Sequence, residues 1–115
     1  MKKDDSLYLR HILDAIQDIE SYVQGIVTLE AFSADGMRLN AVVRQLEVVG
    51  EAAAHLSMEL RATHADVPWE KMIGMRNRLI HEYFGVDEEV IWKVSQEELQ
   101  PLRIAVERIL QKFFP

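Results

Sequence analysis

Hydrophobic residues recur every three or four positions over most of the chain, and no stretch keeps the two-residue alternation of a β-strand. Apolar residues at that spacing form one stripe along an α-helix, and such a stripe can face a core. The pattern therefore predicts an all-α fold. We expect a bundle of four main helices with one short extra helix.

The first helix is predicted over residues 4–32. Its inward stripe consists of Ile12, Ile16, Ile19, Val23 and Ile26. Three of these isoleucines are seven residues apart, which favours near-antiparallel packing with a left-handed twist. Ser33 or Asp35 can cap the helix that follows, because both side chains accept a hydrogen bond from a free backbone N–H.

The second helix is predicted over residues 36–63. Gly50 and the alanines at 52–54 interrupt its large apolar residues, which indicates that another backbone passes close by. Arg44, Glu47 and Glu51 lie near one face of this helix. They form either a solvated row of ion pairs or, for Arg44 or Glu51, a support for a site on the next helix.

A third helix is predicted over residues 68–84, with Pro68 in its first turn. Its apolar surface is wider than one stripe, which is typical of a central helix or one at an interface. Asp87 can cap a short helix over residues 87–92. Ser95 and Glu98 have the spacing of a capping box, which predicts that the last helix begins there.

Composition limits the class of protein. The chain has 115 residues, 49% of them apolar, so we expect one domain with a real core. It has no cysteine, which excludes disulfides and thiolate chemistry. No signal peptide or membrane span is predicted, so we expect a cytoplasmic protein. The formal net charge of −6 argues against binding nucleic acid through bulk charge.

One segment, from Met75 to Gly85, places several reactive polar side chains among apolar residues. The Arg76 guanidinium can bind phosphate oxygens in a fork, and the His81 imidazole can accept or donate a proton. Between residues 71 and 83, Glu82 is the one acidic residue beside Lys71, Arg76 and Arg78, so if nucleic acid binds, we expect it to bind here. No cofactor is implied, and the scattered histidines outside this segment do not make a metal site.

Helical geometry separates the two central residues of this segment. On a regular helix, Arg76 and His81 lie about 140° apart around the axis and about 7.5 Å apart along it. Either the helix loosens near His81, or two copies of the chain meet across a two-fold axis and form one cleft. The second possibility predicts a homodimer.

The residue types suit RNA cleavage by attack of the 2′-hydroxyl on the adjacent phosphorus. His81 can transfer a proton, Arg76 can stabilise the developing phosphoryl charge, and Asn77 can orient His81 or bind a phosphate oxygen. Arginine and histidine at this spacing also arise by chance. Arg76 could instead pair with a carboxylate, and His81 could be an interfacial histidine without a catalytic role.

The motifs together resemble the HepT-type proteins of the HEPN superfamily. The resemblance is carried by residues 68–69, by Arg-Asn-x3-His-x-Tyr from Arg76 to Tyr83, by Asp87 and Trp92, and by residues 41–52. It covers nearly the whole chain. It implies a HEPN-type helical bundle working as a homodimer, with Arg76 and His81 as the catalytic pair of a metal-independent endoribonuclease.

The resemblance also implies a biological context. The protein would be the toxin of a type II/VII-like toxin–antitoxin pair, and RNA would be its substrate. A minimal nucleotidyltransferase would be the antitoxin, and it would transfer AMP to Tyr83. Asn77, Arg78 and Tyr83 would support phosphate binding. A different class of function is a non-catalytic helical subunit that docks a nucleotidyltransferase or a nucleotide.

Overall fold

The computed structural model describes residues 2, 4–81 and 87–115, and every regular element in that part of the chain is helical. In chain order the elements are α1 (Asp5–Val23), α2 (Leu29–Ala34), α3 (Gly36–His55), α4 (Met58–Thr63), α5 (Trp69–His81), α6 (Glu88–Lys93), a π-helical turn (Val94–Glu98) and α7 (Leu99–Phe113). The all-α prediction is confirmed, and its four main helices are α1, α3, α5 and α7. No described helix is long and apolar enough to cross a lipid bilayer.

The prediction of one unbroken first helix is wrong beyond Val23. Gly25 has a φ of 86°, a conformation that a glycine adopts without the steric cost that other residues incur, and the chain turns there. Thr28 then caps the separate helix α2, because its Oγ1 accepts a hydrogen bond from the N–H of Ala31 at 3.1 Å. The turn allows Phe32 to become fully buried.

The predicted second helix is also interrupted, at Leu56 and Ser57. Its beginning is capped as expected, since Asp35 Oδ1 accepts from the N–H of Arg38 at 3.1 Å. Ser57 adopts an extended conformation, and its Oγ accepts from the N–H of Leu60 at 3.1 Å, which starts α4. Hydrophobic periodicity continued through the break because both helices bury residues against the same core.

The last helix follows residues 95–98 as expected, but the predicted capping box at Ser95 is wrong. Asp87 caps α6 as expected, accepting from the N–H groups of Glu89 and Val90. The Ser95 hydroxyl, however, donates to the carbonyl of Trp92 at 2.7 Å and does not form a capping box. The chain instead passes through the π-helical turn directly into α7. The predicted end of the third helix at Phe84 lies outside the described residues.

The core is built around α3, which packs against α1 on one side and α5 on the other, while α1 also packs against α7. The start of α1 is fastened to the α3–α4 turn by Asp5, whose side chain is only 2% exposed. Its carboxylate accepts from the N–H and the hydroxyl of Ser57, at 2.8 and 2.6 Å. This connection places the first turn of α1 beside the last turn of α3.

Gly50 sets the distance between α3 and α5. A Cβ atom built on Gly50 would lie 2.2 Å from the Cβ of Arg76 and 2.7 Å from the carbonyl oxygen of Met72. Real Cβ atoms do not approach other atoms so closely, so any larger residue would push the two helices apart. The expectation that a backbone passes close to the small residues of this helix is therefore confirmed.

We expect Gly50→Ala to lower the free energy of unfolding by about 1–3 kcal/mol, because overpacking outweighs the roughly 1 kcal/mol that alanine gains in helix propensity. Urea unfolding would measure the change. The matched control is Gly74→Ala in α5, where an added Cβ meets nothing within 4 Å. That variant should be as stable as the natural chain or more stable. Equal stabilisation by both substitutions would contradict the close approach at Gly50.

Candidate active site

Arg76 lies on the side of α5 that faces α3, and it is largely enclosed there. Its side chain is 22% exposed, and its Nη1 donates to Glu51 Oε2 at 2.8 Å. Its Nε is buried and has no hydrogen-bond partner in the part of the chain that the structure describes. The guanidinium is thus held by one carboxylate, while its other N–H groups are not saturated by that contact.

Glu51 is the residue of α3 that links the two helices. One of its carboxylate oxygens binds Arg76, and the other lies 3.6 Å from Nδ1 of His55. Arg44 and Glu47 pair with each other at 3.4 Å on the same helix. Of the two interpretations of this face, the ion-pair row applies to Arg44 and Glu47. The other interpretation applies to Glu51, which supports a residue on the next helix.

His81 is exposed at the last described position of α5, and so are Asn77 and Arg78 on the same helix. Among residues 2, 4–81 and 87–115, none of these three side chains has a hydrogen-bond or ion-pair partner. The α-helix remains regular from Arg76 to His81, so the two residues stay on different faces of one chain. Loosening of the helix between them is not observed. Tyr83 lies outside the described residues.

The local basic cluster is weaker than the sequence suggests. Lys71 is paired with Glu98 of the π-helical turn, and Arg76 is paired with Glu51. Of Lys71, Arg76 and Arg78, only Arg78 has no carboxylate partner among the described residues. Glu82 lies outside the described residues. A phosphate that binds here must share Arg76 with Glu51 or displace that carboxylate.

A groove of about 360 Å³ lies beside Glu51, between the start of α1, the last turns of α3 and Ile80 of α5. We call it the Tyr8–His55 groove, after two rings whose centroids are 5.1 Å apart with an interplanar angle of 30°. His11 meets Tyr8 edge-on at 5.9 Å. The sequence did not predict this cluster, because Tyr8 and His55 are on different helices and no periodicity connects them.

The described residues, which leave out 1, 3 and 82–86, contain no group of three or more histidines and carboxylates that could hold a metal ion. The groups present near Arg76 can do proton transfer and charge stabilisation. His81 supplies a titratable side chain in contact with solvent, and Arg76 supplies a guanidinium oriented by a carboxylate. Within the described residues, the regular helix does not bring Arg76 and His81 to the same side of α5.

Comparison with known proteins gives a consistent result. The family described as "Ribonuclease HepT-like" matches residues 12–109. A protein of Caldanaerobacter subterraneus subsp. tengcongensis named "Putative RNase TTE0752" is 44% identical over 105 residues, which cover 91% of this chain and 93% of that protein. "Probable ribonuclease HepT" of Thermococcus cleftensis is 38% identical over 109 residues, covering 95% and 98%. No solved structure matches the chain.

Proposed function

The chain belongs to the ribonuclease HepT-like family, and we propose that it is a metal-independent endoribonuclease whose catalytic residues are Arg76 and His81. The proposal rests chiefly on Arg76, because Glu51 holds its guanidinium at 2.8 Å near the helix end that presents His81 to solvent. Phosphodiester cleavage requires an oriented cation for the phosphoryl charge and a group that can transfer a proton, and we assign these roles to Arg76 and His81. The names of the relatives point to the same substrate class.

The proposed reaction begins with the 2′-hydroxyl of RNA. A base removes its proton as the 2′-oxygen attacks phosphorus, the P–O5′ bond breaks, and an acid returns a proton to O5′. The products are a 2′,3′-cyclic phosphate and a 5′-hydroxyl. Arg76 stabilises the additional negative charge on the phosphoryl oxygens, and His81 takes a proton role. DNA lacks the attacking hydroxyl and is not cleaved by this route.

We propose that the complete site forms between two copies of the chain. The regular helix keeps Arg76 and His81 on different faces, and a two-fold interface along α5 would bring two of each into one cleft. The arginine of each chain would then act with the histidine of the other chain.

We expect the purified protein to cleave single-stranded RNA in the presence of EDTA, and Arg76→Ala and His81→Ala each to reduce the rate by about a hundredfold or more. Gel electrophoresis of a labelled strand would measure it. Arg108→Ala is the matched control, because Arg108 is an exposed arginine on α7 that lines a different groove. It should cleave like the natural chain, and an all-DNA strand should remain intact.

Absence of cleavage, or equal cleavage by the natural chain and both site variants, would contradict the proposed activity. The function would then be that of a non-catalytic subunit that docks a nucleotidyltransferase or a nucleotide.

A shared cleft predicts complementation between two inactive variants. In a heterodimer of Arg76→Ala and His81→Ala chains, the intact arginine of one chain would lie in the same cleft as the intact histidine of the other. If the pair acts across the interface, the heterodimer should recover up to about half of the natural rate. Differently tagged chains would be co-expressed, purified through both tags and assayed. A light-scattering mass of a monomer at micromolar concentration would contradict the dimer.

We expect Glu51→Ala to lower kcat by about tenfold without raising KM, because the guanidinium of Arg76 loses its orientation while a competing negative charge is removed. Glu51 is 52% exposed, so the free energy of unfolding should fall by less than about 1 kcal/mol. Glu107→Ala on α7 is the control, since Glu107 is 54% exposed, pairs with Arg103 at 4.0 Å and lies outside the Tyr8–His55 groove, so it should leave both constants unchanged. A large loss of stability in Glu51→Ala would indicate a purely structural role.

We further propose that the ribonuclease is the toxin of a type II/VII-like toxin–antitoxin pair and that a minimal nucleotidyltransferase transfers AMP to Tyr83. Tyr83 follows His81 by two residues, so an added phosphate and adenine would compete with RNA for the same cations. The modification would thereby block the site.

Co-expression with a minimal nucleotidyltransferase should increase the mass of the chain by one or more AMP units, all located on Tyr83. Mass spectrometry of proteolytic fragments would test this. Tyr83→Phe should abolish the modification, because the acceptor oxygen is removed, whereas the control Tyr22→Phe on α1 should leave it unchanged. An unmodified Tyr83 after co-expression would argue against this form of control.

A further inference from the structure

The Tyr8–His55 groove shares a carboxylate with the candidate active site. Glu51 Oε2 binds Arg76, and Glu51 Oε1 faces Nδ1 of His55. Ile80, which lines the groove, immediately precedes His81. The groove therefore lies beside the position that a phosphate bound to Arg76 would occupy.

The rings in the groove are arranged so that one face remains available. Tyr8 is half-buried beneath His55, whose side chain is 49% exposed. The His55 ring is fixed, because its Nδ1–H donates to the backbone carbonyl of Glu51 at 2.8 Å. The Tyr8–His55 stack thus ends in an aromatic face of set orientation that is in contact with solvent.

The rest of the groove suits a flat, polar ring attached to a phosphodiester. His11 adds a second exposed ring, perpendicular to that of Tyr8, and Ile80 supplies an apolar wall. Arg44 also lines the groove, and its side chain is 71% exposed, so its cationic end can approach a neighbouring phosphate despite its contact with Glu47. Aromatic faces next to cations are the usual means by which proteins hold unpaired nucleotides.

We propose that the Tyr8–His55 groove binds a nucleobase of the RNA strand next to the scissile phosphate, stacked on the exposed face of His55. This subsite rests on the proposed ribonuclease function and adds to it a preference for single-stranded RNA, because a paired base could not enter the groove. Stacking requires only a π-face, so it selects unpaired structure more than sequence.

The test uses a fluorescein-labelled single-stranded oligonucleotide with 2′-O-methyl riboses, which cannot supply the attacking hydroxyl. Binding to the full chain is followed by fluorescence anisotropy. His55→Ala should weaken binding by about tenfold or more, the range expected when one stacked base is lost. His55→Phe should retain most of the affinity, because it keeps an aromatic face. A strand of abasic nucleotides should bind weakly and should not distinguish His55→Ala from the natural chain.

The other outcomes overturn the proposal in distinguishable ways. If His55→Ala binds the strand as tightly as the natural chain while RNA cleavage persists, the groove is not a base site and the ribonuclease proposal stands. If no strand binds and no RNA is cleaved, both proposals fail. If His55→Ala changes the light-scattering mass, the groove is an interface between subunits and not a nucleobase site.

Discussion

The candidate site depends on the close contact between Gly50 of α3 and the part of α5 around Arg76. An added Cβ would lie 2.2 Å from the Cβ of Arg76, so only glycine allows the two helices to approach this closely. The approach brings the neighbouring residue, Glu51, within hydrogen-bond distance of the Arg76 guanidinium. Helix packing and the orientation of Arg76 are therefore coupled, because one turn of α3 supplies both the glycine that allows the close approach and the carboxylate that binds the guanidinium.

The Glu51–Arg76 pair has two opposing effects on an anionic ligand. It removes rotational freedom from a long side chain, which favours a defined geometry at the phosphate. It also places a negative charge where the phosphate would bind. A guanidinium has five N–H donors. Nε is buried and Nη1 is bonded to Glu51, so a phosphoryl oxygen that leaves the pair intact must bind the other Nη donors.

Much of this arrangement could be predicted from the sequence, and the limits have physical causes. Periodicity identified the four main helices, and Gly50 among alanines indicated the close approach. Periodicity did not detect the breaks at Gly25 and Ser57, because the residues on either side remain buried in the same core. Nor could it pair Tyr8 with His55, which depends on Asp5 binding Ser57 and so fastening the start of α1 to the end of α3.

The charge of the chain explains why short-range contacts must select the substrate. With a formal net charge of −6, and with Lys71 and Arg76 already paired with carboxylates, the protein has little long-range attraction for RNA. A ligand therefore gains affinity only after it reaches the site, from a fork of N–H groups and an aromatic face. Stacking is less sensitive to salt than ion pairing, so an acidic ribonuclease that uses both would favour exposed, unpaired nucleotides over regular duplex.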